Sequence, residues 1–196
     1  MKKILFVALG STVLFSSCSK DEELIPLSEV EKNDLIYLRE EEKLARDIYT
    51  YAYSKYQNEV FNSISQSEQK HFDNVLNLLS KYSIADPASA QIGIFNNIEL
   101  QTIYNQLKTK VDISAEQSLQ VGATIEELDI NDIDDFLANT TNPKLVNLYN
   151  KLNCGSKNHI RSFTNQLTAI GSSFVPQHIT IEEYTTILNT PSGSCN

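Results

Sequence analysis

Polar residues interrupt four apolar helical stripes in this sequence, and those interruptions carry its chemistry. Positions stepping by three or four residues read Leu35, Leu38, Glu42, Ala45 and Tyr49, so a carboxylate stands where a leucine would pack. The same spacing gives Phe61, Ile64, Glu68, His71, Val75 and Leu78, in which Glu68-Gln69-Lys70-His71 puts a carboxylate and an imidazole one turn apart on the inward face. A third stripe runs Leu119, Gly122, Glu126, Asp129 and Ile133, with Gly122 giving space. The fourth runs Leu148, Leu152, Gly155, His159, Phe163 and Leu167 and is broken by His159. A buried carboxylate is costly unless paired or metal-bound, so polar groups on all four stripes call for a common explanation. A shared two-metal centre supplies one, because hard carboxylate oxygens and imidazole nitrogens suit iron or manganese and the cations neutralise the collected charge.

A Glu-x-x-His pair standing alone is more often solvated or salt-bridged; the agreement of four helices is what gives the pattern weight. Glu40, Glu41, Lys43 and Arg46 read as the solvated face and i,i+4 pairs around Glu42, and Asp132, Asp134 and Asp135 as solvent-facing residues below the third helix. Tyr49, Tyr53 and Tyr56 read as core or boundary aromatics rather than radical carriers.

The elements that must position these residues are helical throughout. Ser28 with Glu31 forms a capping box that opens a helix over 28–56, and a second spans about 59–82 after a join short enough to make the two antiparallel neighbours. Breaks at Asp86-Pro87 and Gly93 mark a long crossover holding a shorter helix over 97–111. Ser114 with Gln117 opens a third long helix to about Asn139, and Asn142-Pro143 an N-cap and N1 proline for a fourth that ends near Gly171. Thr180 with Glu183 caps a short helix over 181–188, and 191–196 reads as a flexible tail. The expected fold is all-α, a ferritin-like four-helix bundle with one long crossover and a short C-terminal helix.

A net charge of −9, more acidic still without Lys2 and Lys3, disfavours nucleic acid as a partner. There is no Gly-rich phosphate loop, dinucleotide fingerprint, haem-attachment motif or repeat array. Lys2 and Lys3, the apolar run Ile4 to Phe15, and Ser16-Ser17 before Cys18 form a targeting segment too short to span a membrane permanently. That run resembles a bacterial lipoprotein leader cleaved before Cys18, which would carry the lipid. Ser19 to Glu23 resembles the acidic tether of Bacteroidetes lipoproteins, implying a cell-envelope location on the periplasmic side of the outer membrane or at the cell surface. The expected organisation is a signal peptide over 1–17, a tether over 18–27, the bundle over 28–171 and a C-terminal extension over 172–196. Cys154 and Cys195 either pair, as an oxidising compartment permits, or stay as a buried and a loose thiol.

Glu42-Lys43-Leu44-Ala45-Arg46-Asp47-Ile48-Tyr49 resembles the first-helix ligand segment of rubrerythrin-like members of the ferritin-like superfamily, and Glu68-Gln69-Lys70-His71 their second-helix ligand pair. Phe95 to Gln101, Val121 to Ile130 and Gly155 to His159 resemble an uncharacterised ferritin-like domain family of bacteria and archaea, over roughly residues 30–170. The resemblance implies Glu42, Glu68, His71, Glu126 and His159 as metal ligands, with Glu127 the alternative to Glu126. Where the pattern has a glutamate three residues before the last histidine, this chain has Ser156. Asp129 replaces that ligand, or one metal is loosely held or absent. The implied cofactor is iron, two per chain in a complete site, with manganese or zinc as alternatives. The implied activity is an oxidoreductase of ferroxidase or peroxidase type acting on oxygen, peroxide or Fe(II). The competing reading is a non-enzymatic envelope module for metal capture or protein contact. The partners implied are the membrane, through the lipid anchor, and metal ions, with a homodimer or an envelope protein left open.

Overall fold

The structure, a computed structural model, describes residues 24–195; the leader, Cys18 and the first part of the tether lie outside the described residues. Six helices follow in order: α1 Glu29–Tyr56, α2 Glu59–Lys81, α3 Ile98–Val111, α4 Ala115–Ala138, α5 Pro143–Ala169 and α6 Ile181–Asn189. The described residues contain no strand, and the all-α expectation holds. Each start is set by a side chain that accepts a backbone N–H left orphaned in the first turn: Ser28, Asn58, Asn97, Ser114, Asn142 and Thr180. The Ser28–Glu31 capping box is reciprocal, as its sequence requires. Gln57 closes α1 in the left-handed region at φ 53°, and α2 starts two residues later, folding back on α1.

α1 packs chiefly on α2 and α4 chiefly on α5; contacts of α1 with α4 and of α2 with α5 close a four-helix bundle. α3, in the crossover, lies on α1 and α4, and α6 leans on α5. All four stripes face the core, and their polar positions stack at one level. That level divides the interior into two apolar clusters. One holds Ala45, Tyr49, Phe61, Ile64, Phe163 and Leu167, the other Leu35, Leu38, Val75, Leu79, Leu148 and Leu152. The space at Gly122 serves the first cluster: a Cβ there would lie 2.5 Å from the Phe163 ring. Among the described residues no helix is long and apolar enough to cross a membrane.

Three expectations need correction. Glu40, Glu41 and Lys43 are buried, not solvated, because the crossover and α3 cover that face of α1, and Arg46 is half-buried. Glu40 accepts the N–H groups of Asn96 and Asn97 at 2.7 and 2.8 Å. Lys43 donates to Asp47 at 2.6 Å and to the Gln91 carbonyl at 2.9 Å, and Asp47 accepts the N–H of Gly93 at 2.9 Å. Asp132 is half-buried rather than solvent-facing, whereas Asp134 and Asp135 are exposed as expected. The tail, read as flexible, is fastened to α5: Cys195 forms a disulfide with Cys154, and Gly193 exchanges hydrogen bonds with the Asn158 side chain at 3.1 and 3.2 Å.

Candidate metal centre

At the polar level of the core, Glu42 from α1, Glu68 and His71 from α2, Glu126 from α4 and His159 from α5 converge. The three glutamates are fully buried and each histidine is 8% exposed. Ligand atoms of Glu42, Glu68 and His71 lie within 4.8 Å of one another, as do those of Glu68, Glu126 and His159. Glu68 belongs to both triads. Its Oε2 is 2.8 Å from His71 Nδ1 and its Oε1 is 2.7 Å from His159 Nδ1. Glu42 Oε2 lies 3.4 Å from His71 Nδ1, and Glu126 Oε2 lies 3.3 Å from His159 Nδ1. The two rings stack with centroids 5.5 Å apart.

Close distance is not satisfied bonding here. Both oxygens of Glu42, both of Glu68 and Nδ1 of His71 are buried without an aligned hydrogen bond, an arrangement that costs free energy unless something else occupies the directions they face. The electrostatics are those of carboxylates and imidazoles buried together. Burial, reinforced by Glu68, pushes Glu42 up to about 7 against the pull of His71. Burial and Glu68 likewise push Glu126 up to about 7, opposed by His159 and by the hydrogen bond from Tyr49. For Glu68 burial is outweighed by His159 and His71, which hold it below the usual carboxylate range. Burial disfavours charge on the histidines, but Glu68 and Glu126 raise His159 to about 10, and Glu68 and Glu42 raise His71.

Residues around the triads fix their aim. Ser67 lies 3.0 Å from His159 Nε2, holding the far ring nitrogen while Nδ1 faces the carboxylates. Tyr49, fully buried, donates to Glu126 Oε1 at 2.6 Å. Gly155 leaves room for the other imidazole: a Cβ there would lie 2.5 Å from His71 Cε1. Sequence reading placed Tyr49 and Gly155 on the right faces but gave neither a part in the centre. The signal for Tyr49 was its position two turns from Glu42 on the same stripe. Ser67 lies beside the stripe and had none.

The remaining candidates separate cleanly. Glu127 points away from the centre, and its Oε1 accepts the backbone N–H groups of Gln177, His178 and Ile179, tying the segment before α6 to α4. The register ambiguity between Glu126 and Glu127 therefore resolves to Glu126 as the residue at the centre. Ser156 is fully buried and donates back to the Leu152 carbonyl at 3.2 Å, adding nothing to either triad. Asp129 is in neither triad, yet it is 1% exposed, both its oxygens lack partners, and burial with Glu41 and Glu42 beside it holds its carboxyl well above the usual range.

Comparison with known proteins agrees with this architecture. Uncharacterized protein MJ0754 from Methanocaldococcus jannaschii is 45% identical over 165 residues, which cover 84% of this chain and 89% of that protein. The crystal structure of hypothetical protein MJ0754 superposes with a TM-score of 0.86 at 43% identity, over 87% of this chain and 98% of the other. The model of an uncharacterized protein domain, DUF2202, matches residues 31–191, and with most of its length so covered the chain belongs to the DUF2202 family.

Proposed function

We propose that the bundle is a ferritin-like metalloprotein whose two triads hold a pair of iron or manganese ions, Glu42 and His71 on one, Glu126 and His159 on the other, and Glu68 shared between them. The observation that carries this reading is Glu68: one oxygen faces each imidazole, and neither has a hydrogen bond aligned to it. A salt-bridge network evolved for its own sake would satisfy those atoms; a bridging carboxylate would leave them for cations. Bound there, the ions would supply one-electron redox chemistry toward oxygen, peroxide or Fe(II). The chain's own part is to fix the donors, hold Glu126 through Tyr49, and exclude bulky substrates, since the carboxylates are buried and the histidines nearly so. We further propose that the leader and Cys18 attach the protein to the cell envelope by lipid.

The test is metal content per chain, by elemental analysis, for the purified protein and its Glu68→Ala, His71→Ala and His159→Ala variants, followed by Fe(II) oxidation in the presence of oxygen. About two ions per chain, lost in the variants, supports the reading; a well-folded protein with only traces of metal overturns it. Ser156 favours a second reading. Because it leaves the α5 side with His159 alone, a site that binds metal tightly without turnover would make the protein a capture module rather than an oxidoreductase.

A further inference from the structure

The centre needs a way in, and one face of the bundle carries carboxylates both at its surface and below it. Against α1, α3 and α4 lies an open hollow of about 690 Å³ whose lining, among the described residues, includes Asp34, Glu40, Glu99 and Asp132 and no lysine or arginine. Adjoining it is a small pocket of about 30 Å³, room for one water or one small ion, lined by Glu41, Asp129 and Asp132 among apolar side chains. The hollow and the small pocket share Tyr37 and Asp132 as lining residues, so the two adjoin. Glu41 and Asp132 are in side-chain contact, and Asp129 lies near enough to the central glutamates 42, 126 and 68 to feel their charge.

Glu41 Oε2 and both oxygens of Asp129 are buried without a partner. Folding has placed three carboxylates around a small void where a leucine or an asparagine would have cost less, and among the described residues no lysine or arginine lines that void. The hollow between α2 and α5 has the opposite character, lined by Lys81, Lys144 and Lys151. The three carboxylates are not drawn together as the central triads are, which fits a relay that leaves a cation part of its water rather than a closed site.

We infer that Asp132, Glu41 and Asp129 form the access route by which hydrated divalent cations pass from the acidic hollow to the centre. The inference rests on the metal-centre reading. Asp132, half-exposed, receives the ion; Glu41 and Asp129 replace part of its hydration as it passes; and the glutamates of the centre take it up.

The experiment follows the filling of the purified full-length chain with Co(II), using the visible absorption of the histidine-ligated ion for rate and elemental analysis for final content. Wild type is compared with Glu41→Gln/Asp132→Asn, Asp129→Asn and a control, Asp135→Asn, which changes formal charge on exposed surface of the same helix. The expected result is filling at least about tenfold slower in the route variants, with final content unchanged and the control at wild-type rate. Wild-type rates in the route variants overturn the inference, as does equal slowing by Asp135→Asn, which would mean general surface charge. Lower final content in Asp129→Asn would make that residue a ligand and remove it from the route. Failure of wild type to take up Co(II) overturns the centre itself and the route with it. Unchanged helical circular dichroism shows that the near-isosteric variants are folded.

Discussion

Gly155 on α5 lies directly against the imidazole of His71 on α2, with no room for a methyl group between them. Gly155→Ala is expected to push His71 out of its triad while leaving His159, on the next turn of α5, in place. Overpacking of this kind costs about 1–3 kcal/mol. Metal content should fall toward half while the helical signal persists; full retention of metal with an unchanged melting temperature would show that α5 yields instead.

Tyr49→Phe removes the hydroxyl that donates to Glu126 Oε1 and leaves that oxygen buried without a donor. Because the hydrogen bond opposes the upward push on Glu126, its loss also makes the carboxylate harder to ionise. Affinity for metal should drop about tenfold, with a stability loss of about 1 kcal/mol. Competition against a chelator and a thermal melt measure the two effects separately.

Adjacent glutamates on α4 should behave in opposite ways. Glu126→Ala is expected to abolish metal binding at the His159 side. Glu127→Ala should leave metal content unchanged, cost about 1.5–3 kcal/mol by freeing three backbone donors, and accelerate amide exchange at Gln177, His178 and Ile179.

Cys154→Ser or Cys195→Ser opens a loop with a sequence separation of 41 residues. The expected loss is about 2–4 kcal/mol in thermal unfolding, with increased exchange confined first to the segment beyond α6.

Asp86 caps the loop after α2 and is gripped by Arg39, whose Nε and Nη2 donate to its two oxygens at 3.0 and 2.8 Å. The guanidinium hydrogen bond, working against burial, holds the Asp86 carboxyl below its ordinary value. A depressed folded pKa means the pair stabilises fully above the unfolded value of about 3.9 and loses that contribution as pH falls through the folded one. Asp86 is one-third exposed, so Asp86→Asn should cost no more than about 1 kcal/mol at neutral pH and nothing at the acid end. A cost that persists in acid would assign the effect to packing.

The helices were legible because their caps and stripes are local: Ser28, Ser114, Asn142 and Thr180 start them, and the interrupting Glu42, Glu68, His71, Glu126 and His159 stand at helical spacing on faces that do turn inward. What escaped was tertiary. Charge on Glu40, Glu41 and Lys43 argues for water unless one knows that the crossover folds over them, and that depends on backbone N–H and carbonyl groups some fifty residues away. Pairing of Cys154 with Cys195 likewise requires the approach of the tail to α5, which no spacing encodes.

Glu40, Lys43 and Asp47 each hold a different point of the crossover, at Asn96 and Asn97, at Gln91, and at Gly93. α1 thus acts as a ruler for residues 91–97, with graduations one helical turn apart. Insertion or deletion of even one residue there would put every later donor out of step with its acceptor, while residues 88–90, between the Arg39 grip on Asp86 and the anchor at Gln91, carry no bond to α1. Across relatives of this chain, length variation is expected between Ala88 and Ala90 and not between Gln91 and Asn97, so that the acidic face keeps its dimensions even where its sequence drifts.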